Sequence, residues 1–440
     1  MGIASGRHIM VTVLLLLLPT ACLAEQAKPP QGFSLLFNGQ NLDGWRGQPE
    51  VDPRKFSTWE KNTLREKQEA WDKDAKQHWS VEEGVLVNDG HGVFLTTEKE
   101  YGDMELLLEY RVVPQADSGI YLRGTPQVQI WDYSPGAEFA HLGATKGSGG
   151  LFNNSPGAVG KDPLVLADKP FGEWNQFRIL QVGARTSVWL NGHLVVDHAI
   201  MENYHARELP LFARGPIQLQ THGGEIRWRN LFVREISSEE GNTILRNNAP
   251  KNNFQSIFNG RDLAGWQGAV DNYQVIDGAI VCREGKGGAL FTEEEYGDFV
   301  VRLDFRLPAK GNNGLAIRYP GSGYAHIDGL TELQILDSEH PEYATLDPRQ
   351  YHGSAYGIAP AHRGYLRPVG DWNFQEVTVR GTNITVELNG TIILDVDLSQ
   401  IKERKGNVAH PGLQLKKGYF GFAGHHDPVA FRNIDIRHLD

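Results

Sequence analysis

Cysteine is almost absent from this chain, with 2 in 440 residues. One of them, Cys22, lies in the apolar stretch near the start. If that stretch is removed, Cys282 stands alone and no intrachain disulfide can form, so packed cores must hold the fold. Cys282 ends the apolar run Ala279-Ile280-Val281-Cys282, where a thiol reads as buried and inert rather than nucleophilic. A basic excess is missing too. Lys and Arg number 43 against 54 Asp and Glu, a net charge of −11, which argues against nucleic acid or an anionic membrane as partner. No apolar run is long enough for a comfortable membrane span. There is neither a Gly-x-Gly-x-x-Gly strand–helix unit for a dinucleotide nor a spaced His-Glu metal motif. What is left, 40% hydrophobic and 22% charged, is the composition of a soluble globular protein long enough for two domains.

Arg7 and His8 precede the apolar run Ile9 to Leu18, and small residues follow at Ala21 and Ala24. Residues 1–24 therefore read as a secretory signal, with a periplasmic or secreted mature protein. Cys22 keeps open a lipoprotein anchored at that residue, although Pro19 stands where a lipobox carries Leu.

Beyond the signal the sequence repeats itself. Phe37-Asn38-Gly39, Leu42 and Gly44-Trp45 return as Phe258-Asn259-Gly260, Leu263 and Gly265-Trp266. Glu100-Tyr101-Gly102-Asp103 returns as Glu295-Tyr296-Gly297-Asp298, and Ser118 to Arg123 as Asn313 to Arg318. Gly172-Glu173-Trp174-Asn175 matches Gly370-Asp371-Trp372-Asn373, and Trp228-Arg229-Asn230-Leu231 matches Phe431-Arg432-Asn433-Ile434. Ordered anchors at a period near two hundred residues mean two whole domains, since solenoid repeats run only ~20–50 residues. The expected boundaries are 31–236 and 254–440, joined by a polar, exposed linker over 237–253.

Within each copy the signals are β. Met104 to Tyr110 and Phe299 to Phe305 are rich in alternating or branched residues. Asn191-Gly192 and Asn389-Gly390 supply the positive φ angles of type I′ hairpins. Many short strands punctuated by 50 glycines predict an all-β chain of two tandem jelly-roll sandwiches. The first copy alone carries an insertion near Trp59–Gln77, read as a short amphipathic helix with Leu64 and Trp71 on one face and Ser57 or Thr58 as cap. Its role, cover or lid, is open.

The heptad Thr331-Glu332-Leu333-Gln334-Ile335-Leu336-Asp337 concentrates the chemistry. Alternation sends Leu333 and Ile335 to a core and Glu332 and Gln334 to the other face. Asp337 joins them only if a bulge near Leu336 turns it back. Its weaker copy is Gln127-Val128-Gln129-Ile130-Trp131-Asp132, where Gln127 replaces the first acid.

Taken together, the Phe-Asn-Gly, Gly-Trp, Glu-x-Gln-Ile-Leu-Asp, Gly-Asp-Trp-Asn and Arg-Asn-Ile anchors closely resemble the 3-keto-disaccharide hydrolase domain family, once per copy. The resemblance implies concanavalin- or laminin-G-like sandwiches with a ligand site on the concave face. It also implies cleavage of glycosides already oxidised at carbon 3, by 1,2-elimination and then hydration. That chemistry needs a base for the carbon 2 proton, an acid for the leaving oxygen and a stabiliser for the enolate. In the second copy, Glu332, Asp337, His425 and Arg318 are the candidate catalytic residues, with Gln334 and Tyr356 binding substrate. His425 aligns with the histidine of the family's Asp-His-Gly loop, while Gly424 replaces its acid. The first copy keeps Arg123, Gln129, Asp132 and His222 as binding candidates. A divalent metal stays open, with His425, His426 and Asp427 the residues to test. The implied functional partner is a sugar 3-dehydrogenase that supplies the keto-glycoside.

Two other readings remain at this level. One is a non-catalytic pair of carbohydrate-binding or adhesion domains. The other is a retaining glucanase-like hydrolase, which needs two carboxyls about 5–5.5 Å apart. The expected mature N-terminus is Glu25. Sequencing the protein from its native host checks this, and an intact Met1 on a cytoplasmic product would refute it.

Overall fold

In the computed structural model, which describes residue 2 and residues 28–248 and 253–439, each domain stacks an eight-stranded sheet on a five-stranded one. The signal-peptide reading, Cys22 and the end of the linker lie outside the described residues. In the first domain the five-stranded sheet runs Trp45–Gln48, Phe94–Thr97, Gln218–Leu219, Asp117–Tyr121, Gln127–Trp131. In the second it runs Trp266–Gly268, Gly287–Tyr296, Gly418–His425, Asn312–Tyr319, Thr331–Leu336. The strand order is the same twice, and the pairs are antiparallel.

The larger sheets show why the alternating runs became strands. Along Met104–Val112, Met104, Leu106, Leu108, Tyr110 and Val112 enter the core, while Leu107, Glu109 and Arg111 stay half-buried outside. Phe299, Val301, Leu303 and Phe305 do the same in the second core. Both Asn-Gly turns are hairpins with positive φ at each residue, as a type I′ turn demands. Cys282 is a buried free thiol, and burial raises its pKa above the usual thiol value.

The insertion forms helix α1 (Lys61–His78). Its place is the open edge of the first five-stranded sheet, where an unpaired strand would otherwise present its backbone. Asp72 accepts from Gly47 N (2.9 Å) and Gln68 donates to Gly47 O (2.8 Å). The helix backbone packs so close that a methyl on Gly47 would lie 2.2 Å from Trp71 O. Trp71 packs with Phe56 and Trp59. The expected caps are not used: Ser57 and Thr58 bond back to Arg54 O and Lys55 O inside a 3-10 turn, and Glu60 precedes the helix without a side-chain cap.

The linker is also not an exposed strap. Residues Ser238–Asn248 form helix α2, with Gly241, Asn242 and Leu245 buried. It is wedged between the domains. Leu245 packs with Val182 and Ile236 of the first domain and Phe374 of the second. Arg246 reaches Asp304 (3.0 Å) and Asp435 (2.8 Å). The domains also touch directly: Arg185 pairs in bidentate fashion with Glu387, and Ala184 N donates to Gly390 O at 3.0 Å. Gly183 has φ +57, and a methyl on it would meet Asn389 O at 2.2 Å, so only glycine lets the second hairpin dock. Leu245→Ala should therefore lower stability by about 2–4 kcal/mol in chemical denaturation. An unchanged midpoint would show that α2 is not part of the fold's packing.

Candidate active site

Strand Thr331–Leu336 pairs with Asn312–Tyr319 in unbroken register, Ala316 opposite Glu332 and Gly314 opposite Gln334. Leu333 and Ile335 enter the core, so Glu332 and Gln334 lie on the outer face of the five-stranded sheet. Glu332 needs the glycine beside it. Its carboxylate lies across Gly314, where a methyl would come within 2.2 Å of Oε1 and 2.5 Å of Cγ.

Glu332 is only 4% exposed, and a buried carboxylate needs compensating charge. Two imidazoles face it. His425, the last residue of strand Gly418–His425, places Nε2 3.7 Å from Oε1. His326, from the one-turn helix α3 (Ala325–Asp328), places Nδ1 3.6 Å from Oε2. Both separations exceed a hydrogen bond, so the rings act on the carboxylate across a short gap. Burial works to raise the Glu332 pKa, but the two imidazoles outweigh it and hold it below the usual carboxylate value. Reciprocally, the Glu332 carboxylate raises the pKa of His425 against the opposing effect of burial.

Tyr356 packs its ring edge-on against His326, centroids 5.1 Å apart, and its hydroxyl accepts from Gln350 Nε2 at 2.7 Å, leaving its own proton free. It is half-buried, not a core tyrosine. Gln334 donates to Asn312 Oδ1 (3.0 Å), while its Oε1 is buried without a partner among the described residues. A cavity of about 90 Å³ opens beside His326 and Tyr356, with Ile327, Ile358, Val408, Arg404 and Lys405 also lining it.

Two expected site residues are placed elsewhere. No bulge interrupts the register to Leu336, so alternation leaves Asp337 on the face opposite Glu332. Its carboxylate accepts from Lys310 N at 3.0 Å, where Lys310 has φ +63. Five residues of strand also separate the two acids by roughly 16 Å, which removes the close carboxyl pair of a retaining hydrolase. Arg318 is 1% exposed and ties loops together: it donates to Gly297 O (2.9 Å), Gly381 O (2.8 Å) and Leu415 O (3.1 Å), and pairs with Asp298 (2.6 Å). Four of its five N–H donors are taken by scaffold. The first domain repeats both arrangements. Asp132 accepts from Gln115 N, whose φ is +67, and Arg123 donates to Phe212 O and Gly102 O and pairs with Asp103.

The remaining first-domain candidates do meet on the outer face. Gln129 Nε2 donates to Asp117 Oδ1 and His222 Nδ1 bonds Asp117 Oδ2, each at 2.6 Å. This contact with Asp117 raises the His222 pKa. Asp117 and His326 are the residues that sequence reasoning missed. Asp117 directly precedes the anchored Ser118, but its counterpart in the other copy is Asn312. His326 sits in a segment between Arg318 and Glu332 that the first copy shortens to Gly124-Thr125-Pro126. As for a metal, His426 Nδ1 folds onto His425 O (2.6 Å) and Asp427 accepts from Asn312 N (3.1 Å), so the three residues do not converge. Among the described residues no cluster of three or more His, Cys, Asp or Glu is placed to hold an ion.

Two β-sandwiches in tandem, each with a carboxylate facing a histidine on the outer face of its smaller sheet, have the build of a carbohydrate hydrolase-like protein. Comparison makes the assignment specific: the 3-keto-alpha-glucoside-1,2-lyase-like domain matches residues 32–234 and 253–437, and the chain belongs to this family, once in each domain. It is similar to a 3-keto-disaccharide hydrolase of Bacteroides thetaiotaomicron, 23% identical over 228 aligned positions that cover 42% of this chain and 79% of that protein. Among solved structures it is similar to a Parabacteroides distasonis protein classed with glycosyl hydrolases (26% identity, TM-score 0.39, 43% of this chain and 100% of that one). It is also similar to a carbohydrate-binding module of Bacillus subtilis (14% identity, TM-score 0.27, 39% and 95%).

Gly314→Ala tests the geometry. The added methyl must displace the Glu332 carboxylate, so the His425 pKa should fall back toward its ordinary value in an NMR titration. An unchanged His425 titration would show that Glu332 does not lie across the glycine.

Proposed function

We propose that the second domain cleaves 3-keto-glycosides by 1,2-elimination, the unsaturated sugar then being hydrated to a free keto-sugar. The observation that carries this reading is the buried carboxylate of Glu332 held between two imidazoles. Elimination needs a base at carbon 2 and an acid at the carbon 1 oxygen in the same step, and one carboxylate serving two rings supplies such a pair. His425, whose charged form Glu332 favours, gives its proton to the departing oxygen. His326 takes the carbon 2 proton, and Glu332 orients both rings. The Tyr356 hydroxyl, with its own proton free, donates to the oxygen at carbon 3 as charge builds there. Gln334 holds a ring hydroxyl. The ketone must be made beforehand, so a sugar 3-dehydrogenase acts upstream. Export of the chain, with a leader removed after Ala24, belongs to the same reading.

Incubation with a 3-keto-disaccharide and its unoxidised parent tests this. Only the keto-sugar should be cleaved, with solvent deuterium entering carbon 2. Glu332→Gln, His425→Asn and His326→Asn should each slow cleavage by ~10²–10⁴-fold. The pH profile follows from the shifts. His425 has a raised pKa, so its acid form is present below that value and cleavage declines as pH rises through it. Glu332 has a lowered pKa, so the ion pair persists until pH falls below the ordinary carboxylate range. Comparable cleavage of the parent without deuterium at carbon 2 would sink the mechanism. Glycan binding without turnover of either sugar would favour a tandem binding protein.

A further inference from the structure

Both copies carry the same buried arginine, but its charge is matched in only one of them. In the second domain Arg318 pairs with Asp298 at 2.6 Å, and Gly381 N donates to the same Oδ1 at 2.8 Å. The first domain repeats each part. Arg123 is 1% exposed, Asp103 is its acid, and Gly183 N donates to Asp103 Oδ1 at 2.8 Å. Here, however, the pair stands at 3.3 Å, and a second guanidinium shares the acid. Arg367 of the second domain, its side chain 8% exposed, brings Nη2 to 3.6 Å from Asp103 Oδ2. Two buried cations thus divide one carboxylate. The other acids near Arg367 are committed: Asp304 pairs with Arg246 and Arg432, and Asp371 accepts from Ser238 Oγ.

A cavity of about 290 Å³ opens at this place between the domains, lined by Arg123, Arg367 and a third cation, Arg214. Arg214 donates to Glu100 O (2.9 Å) and lies 3.6 Å from Glu235, an acid that already pairs with Lys99. Four cations therefore answer to two carboxylates, in a chain whose net charge is −11. Arg123 Nε and Arg367 Nη2 are buried without a hydrogen-bond partner among the described residues. Tyr365 also lines the cavity, and its hydroxyl makes no hydrogen bond among those residues. Burial disfavours the charge on both inner arginines and lowers their pKa values. A buried guanidinium without an acid of its own carries a cost that an anion would offset.

We infer that this cavity binds a small oxyanion, phosphate or sulfate, held between the two domains by Arg123, Arg214, Arg367 and Tyr365. Planar guanidiniums match the paired oxygens of such an ion, and a halide has none to offer. The space takes the ion together with several waters, at ~30 Å³ for each water. Arg123 and Arg214 belong to the first domain, Arg367 and Tyr365 to the second. The anion therefore closes an ionic bridge across the interface. It does so beside the docked hairpin, since Gly183 and Asn389, which nearly touch, both line the same cavity. None of the outer-face residues Glu332, His326 and His425 takes part, so the site stands apart from the elimination reading.

Calorimetric titration and thermal unfolding of the full chain test this, using sodium phosphate and sodium sulfate, with sodium chloride at equal ionic strength as reference. One oxyanion should bind per chain. The thermal midpoint should rise saturably, by roughly 2–5 °C at about ten times the dissociation constant. Arg214→Gln changes an exposed cavity residue, so its midpoint in chloride should stay close to wild type. It should nevertheless bind phosphate ~10–100-fold more weakly, as loss of a charge-assisted contact predicts. Tyr365→Phe should weaken binding by ~2–10-fold. Arg367→Met should lose the response, and if that variant fails to fold, Arg214→Gln still decides. A response to only one of the two oxyanions would name the occupant. Chloride matching both oxyanions, a midpoint rise that Arg214→Gln shares in full, or no saturable binding heat would each overturn the inference.

Discussion

A carboxylate buried on the face of a sheet is the constraint around which the second domain is arranged. Removing an ion of that size from water costs several kcal/mol unless opposite charge repays it. At Glu332 the repayment is two imidazoles, and each makes a demand on the fold. Strand Gly418–His425 must end at the carboxylate, a segment absent from the first domain must fold back to present His326, and Gly314 must carry no side chain. The five-stranded sheet can leave this face polar because its other face, with Leu315, Ile317, Leu333 and Ile335, closes the core.

Duplication separates scaffold from chemistry. Asp132 and Asp337 hold a left-handed backbone residue in the same way, and Arg123 and Arg318 clamp loop carbonyls in the same way. A residue that does identical backbone work in both copies belongs to the sandwich. What differs between copies is the outer face: Gln127 against Glu332, Asp117 against Asn312, a three-residue turn against the segment bearing His326. Those differences collect on one surface of each domain, around a histidine that both copies keep.

Much of this was legible in the sequence. Ordered anchors located the two domains, Asn-Gly pairs located the hairpins, and strict alternation put Glu332 and Gln334 on one face, while His425 entered only through the likeness of its loop to the family's. The misreadings share a cause. Asp337 and Arg318 are titratable residues flanking a polar strand, and their residue types are visible where their backbone partners are not. Helix α2 reads as a polar linker because its partners, Asp304, Phe374 and Asp435, lie in the next domain. Its one local sign is Ser237 three residues before Glu240, whose N–H it caps at 3.3 Å. His326 lacks a twin in the other copy, and Asp117 has a twin of a different type, so a method that looks for matches passes over both.

The histidines show why residue type alone could not settle the site. His352 is fully enclosed against Phe305, accepts from Leu336 N, and bonds the neutral amide of Gln375; burial pushes its pKa down to about 3. His198 is pushed down to about 4 by burial, with the Arg185 cation acting in the same direction. Both are therefore neutral rings, and His352 also connects its neighbours through its two nitrogens. His222 and His425 shift the other way, each because a buried carboxylate faces it. Desolvation opposes charge at all four rings, so a partner of opposite charge is what reverses the outcome. The two reversed cases sit at equivalent strand ends, on the outer faces of the two smaller sheets, with ring surface open to solvent. A histidine whose charged form is favoured at such a position, at the expense of burying its acid, has a proton to give.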